Sequence, residues 1–327
     1  MTILVTGGCG FIGSNFIINY LNSIDEDVIN LDLLTYAGNP ETLSGMARTI
    51  GNRYKFICGN IADSVVVSRI LEQYRPRVIF NFAAESHVDN SINSSIPFVQ
   101  TNVLGTVNIL ECIKKYNKPI KLVQVSTDEV FGSLNEDSPA FNHNTPYAPR
   151  SPYSASKAAS DHFVMSYHHT YGLDTVITNC SNNYGRYQHP EKFIPTVILS
   201  ALAGKQVPIY GSGKNIRDWI YVIDHCKGIL KAAEHGSPGS RHLFGGDNQI
   251  SNIDLAKKIL QILDLPEDRI SFVQDRKGHD FRYDIDNRTS KVILNWKPEH
   301  SFDDELKETV KWYRNNLKWV ESCQRNR

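Results

Sequence analysis

The 327-residue chain reads as an α/β protein. Three features predict a doubly wound parallel sheet with a smaller α/β lobe after it. Short β-branched runs alternate with longer helical stretches through the first half. Those runs are almost continuously apolar, as strands covered on both faces must be. After about residue 180, glycine and proline become frequent and the elements shorten.

In chain order, strands are expected at TILVT (2–6), DVINLD (27–32), YKFIC (54–58), RVIFNFA (77–83), KLVQVST (121–127) and DTVITNC (174–180). Helices are expected between them at 12–22, 64–74, 99–116 and 153–171. The second half opens with NNYGRYQHPEKFIP and places helices at about 191–203, 222–234, 251–264 and 303–315. The expected division is 1–180 for the sheet and its helices and 181–327 for the smaller lobe. The two share one packed body, so the boundary is soft and some chain is expected to cross back.

Hydrophobic content of 41% and charged content of 21% are those of an ordinary globular protein. The 35 basic residues balance 35 acidic ones, which excludes a nucleic-acid footprint or a polybasic membrane patch. Cysteines 9, 58, 112, 180, 226 and 323 are far apart with no C-x-x-C. They are expected to be reduced thiols in the cytoplasm, and no metal site is expected. The first strand starts at once in MTILVTGG, so no signal peptide is expected. No apolar run approaches the ~20 residues of a membrane span.

VTGGCGFIGSNF follows the first strand and opens the first helix. Gly7, Gly10 and Gly13 are spaced three apart, and Gly8, Gly10 and Gly13 fit G-x-G-x-x-G. Alone, such a pattern is weak. Between a strand and a helix it predicts a Rossmann-type turn that cradles a pyrophosphate on backbone N–H groups and the helix N-terminus. Asp32 ends the second strand, 19 residues after Gly13. A carboxylate there accepts from ribose hydroxyls and repels an extra phosphate, and no arginine follows in DLLTYAGN. The expected cofactor is therefore NAD.

In SPYSASKAASDHF (151–163), Tyr153 and Lys157 are four apart. On their own they are explained as a helical i, i+4 pair among small, tightly packed residues. Beside a dinucleotide site they become a base and the ammonium that lowers its pKa. The fifth strand ends in VSTDEVFG (125–132), at the edge where parallel sheets bind ligands. Thr127 supplies the one hydroxyl that alcohol oxidation needs there. Asp128 and Glu129 are surplus to it, and point to an acid and a base for a second reaction.

TGGCGFIGSN, DLLTYAGN, NFAAESHVD, STDEVFG, SPYSASKA, NCSNNYG, PEKFIP, PIYGSGKNIRDW and DRKGHD together resemble the extended short-chain dehydrogenase/reductases. Within them the chain is similar to the nucleotide-sugar 4,6-dehydratases, the dTDP-glucose group above all, over nearly all of residues 1–315. The resemblance implies oxidation at sugar carbon 4 by Tyr153, Lys157 and Thr127 with NAD. Glu129 then removes the carbon 5 proton, Asp128 protonates the departing carbon 6 hydroxyl, and hydride returns to carbon 6. The product is a 4-keto-6-deoxy sugar nucleotide, as rhamnose synthesis uses.

The resemblance also implies a cofactor set of Gly7, Gly10, Phe11, Ile12, Gly13, Asp32, Leu33, Leu34, Thr35, Asn60, Ile61, Phe82, Ala83, Ala84, Glu85, Ser86, Thr101 and Asn183, besides Tyr153 and Lys157. Its substrate set is Ser86, Thr127, Asn182, Lys192, Phe193, Pro208, Ile209, Tyr210, Arg217, Asn252, Asp275, Arg276, His279 and Asp280. Arg217 and Arg276 offer forked donors for phosphate, and Tyr210 a face for a pyrimidine. Four positions depart from the family: Asn60 for Asp, Asn90 for Arg, Phe131 for Tyr (losing a hydroxyl near the site) and Arg186 for Pro. Thymidine and uridine substrates differ by one methyl and stay open. A homodimer through a four-helix bundle built from 99–116 and 153–171 is implied. The alternatives are a nucleotide-sugar 4-epimerase, which has no use for Asp128 and Glu129, and a silent NAD-binding interaction protein, which would have lost one of the four reactive residues.

Overall fold

The computed structural model describes residues 1–46 and 50–325. The six strands of the first half are β1 (Thr2–Thr6), β2 (Asp27–Asp32), β3 (Tyr54–Cys58), β4 (Val78–Asn81), β5 (Lys121–Thr127) and β6 (Thr175–Cys180). The second half adds β7 (Asn182–Tyr184), β8 (Val207–Tyr210), β9 (Ile216–Tyr221), β10 (Ser240–Phe244), β11 (Gln249–Ser251) and β12 (Ile270–Val273). The order β3-β2-β1-β4-β5-β6-β10 makes one seven-stranded parallel sheet. The fold is the Rossmann-type doubly wound sheet that the sequence predicts. Its order reverses between β1 and β4, which opens the crevice where such sheets bind ligands. Two small sheets, β11-β9-β7 and β12-β8, complete the second half.

Alternation along each strand sorts the core. Ile3 and Val5 face one side of the sheet with Phe16, Phe80 and Val123, and Leu4 faces the other with Leu31, Ile79 and Leu122. The first side is covered by α1 (Phe11–Ser23) and by the later helix Val222–His235, the second by α2 (Ser64–Tyr74), α3 (Thr106–Tyr116) and α4 (Pro152–Tyr171). The first core runs on without a break into Val197, Leu255, Leu306 and Tyr313, from α5 (Phe193–Leu202), α7 (Asn252–Ile262) and α8 (Phe302–Asn315), with Val222–His235 as α6. α9 (Leu317–Arg325) closes the chain against Pro40–Leu43, where Asn39 Nδ2 donates to Ser322 Oγ at 2.7 Å.

Expected strand 77–83 is shorter than predicted. Phe82 and Ala83 leave the sheet to pass over Gly7, where a Cβ would lie 2.6 Å from the Ala83 backbone. β10 was not expected; SRHLF is brief and follows a helix that the chain uses to return to the sheet. The helix expected at 99–116 is part of a continuous one, Ile96–Tyr116, with a wide π-helical stretch at Val99–Gly105. By length and composition it could cross a membrane, against the sequence reading. Here Ile109, Leu110 and Ile113 are buried against the neighbouring helices.

Candidate active site

The glycine loop is built for close approach. Gly7 has φ +68°, and a Cβ on Gly13 would sit 2.4 Å from the Gly7 carbonyl. The loop thus delivers the free N–H groups of the first turn of α1 to the crevice. Asp32, at the end of β2, is buried, and its two oxygens accept from the Cys9 and Leu34 N–H groups at 2.8 Å each. Burial, opposed by those two bonds, raises its pKa. Each oxygen keeps a lone pair for a ribose hydroxyl. The cradle and this acceptor fit a dinucleotide.

A cavity of about 300 Å³ opens here. Its walls hold Gly7, Gly10, Phe11, Ile12 and Gly13, then Asp32, Leu33 and Thr35, Asn60 and Ile61, Phe82 through Ser86, and Thr101. Leu34 is the one cofactor candidate outside the wall; its φ of +56° turns the chain, and its N–H serves Asp32. The same cavity continues to Thr127, Asp128, Glu129, Tyr153, Lys157, Asn182, Asn183 and Lys192. The ends of β5 and β6 and the first turns of α4 therefore meet the glycine loop in one space.

α4 presents its pair because Ser151 and Ser154 form a reciprocal capping box and Pro152 occupies the first turn. Lys157 is buried and its Nζ donates to the Val125 carbonyl at 2.7 Å. Burial lowers its pKa, and the Asp161 carboxylate holds it up. Tyr153 corrects an expectation. Burial, then the Glu129 carboxylate, push its phenol well above the usual value, with Thr127 pulling the other way. In this arrangement desolvation comes first and like charge second, and both act against the phenolate.

Asp128 is buried. Its Oδ1 accepts from Thr127 Oγ1 at 3.2 Å, and its Oδ2 has no partner. Burial first, then Glu129, then Asp218, raise its pKa well above the carboxylate range. Glu129 is also raised by burial, with Arg217 opposing. Burial and like charge thus favour the neutral form of Asp128, a residue of the cavity wall.

Phe193, Pro208, Ile209, Tyr210, Arg217, Asn252, Asp275, Arg276, His279 and Asp280 do not line this cavity. Most form a second group beside it. The Arg276 guanidinium lies 5.3 Å from the Tyr210 ring centre and pairs with Asp89 at 2.7 Å. His279 Nδ1 meets Asp275 Oδ1 at 2.7 Å. Phe193 stacks on Trp219, and Asn252 is half-buried at the start of α7. Arg217 lies over the Tyr283 ring at 4.3 Å and spends three donors on the Ile216, Phe281 and Asp280 carbonyls, leaving part of its fork. Arg217, Asp280, Lys192 and Arg276 all act on the Glu129 charge, which joins this group to the acidic pair. Lys192 Nζ also donates to the Ser86 carbonyl at 3.0 Å, tying the two regions together.

Three expectations are refined. The Ile209 side chain is fully buried in the core, because in β8 Pro208 and Tyr210 take the outward positions. Only its backbone could meet a ligand. Phe131 packs against Phe141 and Tyr147 beneath Arg241, so the missing hydroxyl is not in the cavity. Asn60 Oδ1 already accepts from the Ala62 N–H at 2.8 Å. Asn90 and Arg186 are exposed, and the Arg186 side chain reaches Tyr221.

Tyr283, Glu191, His189 and Gln188 were missed by sequence reasoning. Tyr283 donates to Asp280 Oδ2 at 2.6 Å and feels the Glu129 charge. Glu191 lies 3.6 Å from both His87 and His189. Their proximity to PEKFIP and DRKGHD was the available signal.

A family model described as GDP-mannose 4,6 dehydratase matches residues 4–309. The chain belongs to that family. It is 46% identical to the dTDP-glucose 4,6-dehydratase of Xanthomonas campestris pv. campestris (strain B100), covering 98% of this chain and 95% of that protein. Against dTDP-glucose 4,6-dehydratase 1 of Escherichia coli (strain K12) the identity is 44%, again over 98% and 95%. Among solved structures, DesIV from Streptomyces venezuelae, a dTDP-glucose 4,6-dehydratase with NAD and TYD bound, superposes with a TM-score of 0.94 at 43% identity, over 99% of this chain and 100% of that one. The UDP-glucose 4-epimerase of Thermotoga maritima shares the fold with a TM-score of 0.89 but only 28% identity, over 97% of this chain and 100% of that one. The enzyme is thus of the hydro-lyase, 4,6-dehydratase type, and the epimerase alternative falls behind.

Proposed function

We propose that the chain is an NAD-dependent dehydratase that converts dTDP-glucose to its 4-keto-6-deoxy sugar nucleotide. One observation carries this: buried Asp128 and half-buried Glu129 stand beside Tyr153, where the end of β5 meets the first turn of α4. An epimerase needs the tyrosine and not the pair. A silent NAD-binding protein needs neither.

The glycine loop and Asp32 would hold NAD, which supplies a reversible hydride acceptor when bound. Tyr153 Oη takes the carbon 4 hydroxyl proton, assisted by Thr127 and by the Lys157 charge. The ketone acidifies carbon 5, whose proton passes to Glu129. Asp128 Oδ2 donates to the carbon 6 hydroxyl, which leaves as water. The hydride removed from carbon 4 would be returned to carbon 6 while Glu129 gives its proton back to carbon 5, and the hydroxyl proton held by Tyr153 replaces the one that Asp128 gave to water, so the cycle closes without a net change. The second group, Tyr210, Arg217, Arg276 and His279 foremost, would hold the nucleoside diphosphate, with Ser86, Asn182 and Lys192 at the sugar.

The outward faces of Ile96–Tyr116 and α4 carry exposed Val99, Leu104, Phe163 and Tyr171. This supports a homodimer in which the two helices of each protomer form a four-helix bundle. All six cysteines are free thiols, in keeping with a reducing cytoplasm.

The test is mass spectrometry of purified protein incubated, without added NAD, with dTDP-glucose and with UDP-glucose. Loss of one water from dTDP-glucose, faster than from UDP-glucose, is expected. Unchanged mass in both, with NAD then supplied, would overturn the reading.

A further inference from the structure

Asp161 is fully buried one turn beyond Lys157, and the reaction above makes no use of it. Its Oδ2 accepts from Ser126 Oγ at 2.7 Å, Tyr147 Oη at 2.9 Å and Asn179 Nδ2 at 3.4 Å. Its Oδ1 is buried with no hydrogen-bond partner. Ser126 immediately precedes Thr127, and Asn179 Nδ2 also donates to the Thr127 carbonyl at 2.9 Å. One carboxylate therefore joins α4, which carries Tyr153 and Lys157, to the strand end that carries Thr127, Asp128 and Glu129.

Resting on the dehydratase reading, we propose that Asp161 is a positioning residue for this reaction: it gives the buried Lys157 ammonium its counter-charge and fixes the Tyr–Lys helix against the Thr–Asp–Glu strand end. A buried ammonium bonded to a neutral carbonyl alone is driven to shed its proton. Lys157 donates to the Val125 carbonyl; the carboxylate that favours its ammonium is Asp161 on its own helix, while Cys180 on β6, the other titratable group acting on it, is kept a neutral thiol by burial. Burial pushes the Asp161 carboxyl up, and Lys157 together with donors from β5, β6 and the Tyr147 loop opposes that shift and favours the carboxylate; Arg241 lies 5.2 Å over the Tyr147 ring. A second carboxylate at i+4 thus does for the lysine what the lysine was expected to do for the tyrosine.

The test compares wild type, Asp161→Asn and Tyr147→Phe as NAD-loaded enzymes. The first variant keeps the shape and removes the charge; the second removes one donor to Oδ2. With the carboxylate gone, Lys157 loses its proton at lower pH. The alkaline limb of kcat for dTDP-glucose is expected to move toward neutrality by about one pH unit in Asp161→Asn, and in the same direction by less in Tyr147→Phe, with KM changed under about twofold. Independently of turnover, the Lys157 Cε resonance, assigned by its loss in Lys157→Met, should titrate at lower pH in Asp161→Asn. An unshifted resonance and parallel pH profiles would overturn the proposal, whatever the fall in kcat. If Asp161→Asn does not fold, Tyr147→Phe decides by the same two readouts. Absence of dehydration by wild type would remove the dehydratase reading and leave the lysine titration as the test of the counter-charge.

Discussion

Asp128→Asn separates the elimination step from everything else the site does. Asp128 Oδ1 accepts one bond, from Thr127 at 3.2 Å, and an asparagine oxygen can accept it unchanged. Oδ2 has no partner, so an amide nitrogen there breaks nothing. The wild-type group is driven to its neutral form by burial and by Glu129, so the substitution exchanges one neutral group for another of the same shape. The expected change in stability is under about 1 kcal/mol near neutral pH, the scale of one ordinary hydrogen bond. Its sign follows from linkage. A pKa raised on folding favours the fold fully below the unfolded value and less as pH rises through the folded one, so the variant gains on wild type as pH increases. Catalysis moves differently, because an amide cannot transfer a proton. Loss of a general acid costs roughly 10²- to 10⁴-fold. Water loss from dTDP-glucose, followed by mass spectrometry, should fall by that factor, while absorbance near 340 nm still reports oxidation at carbon 4. Dehydration within threefold of wild type would refute the assignment of the acid.

Three further outcomes are expected. Gly13→Ala places a Cβ 2.4 Å from the Gly7 carbonyl and 2.8 Å from Gly8 Cα, both backbone, so the loop must open; the purified variant should carry far less NAD, measured by chromatography after denaturation. Asp218 is buried, accepts from Gly246 and Asn248 N–H groups and has its pKa pushed up to about 6, mainly by burial. Its contribution to stability is full well below 3.8 and lost as pH rises through about 6, a total difference of about 3 kcal/mol, so the stability of wild type relative to Asp218→Asn in urea should fall by about 2.5 kcal/mol from pH 4 to 8. Leu104 and Phe163, 54% and 41% exposed on adjacent helices, should yield a monomer by light scattering when both become glutamate.

What was legible in the sequence is what one segment can encode. The glycine loop works within seven residues, the Tyr153–Lys157 pair within one helical turn, and the acidic pair within one strand end. Each was therefore visible as spacing, and the sheet was visible because strands buried on both faces are apolar throughout. Even the inward turn of the Ile209 side chain was legible locally, since VPIY alternates in and out and Ile209 cannot share a face with Pro208 and Tyr210. What was not legible is assembled from segments far apart in the chain. β10 joins the sheet beside β6, 60 residues distant in sequence and signalled by five residues alone. Phe131 turned out to face Phe141 and Tyr147 because a 3₁₀ turn, Asp128–Phe131, rotates it away from the two acids that precede it. The larger error was energetic. A tyrosine four residues from a lysine suggests a lowered pKa, but the sequence does not show how much water the pair loses. Burial raises Tyr153 and lowers Lys157 together, driving both toward neutral forms. A site that needs those charges must then supply them from outside the pair. That requirement singles out Asp161, whose link to Lys157 is visible as an i, i+4 spacing but whose weight comes from Ser126, Tyr147 and Asn179, none of them near it in sequence.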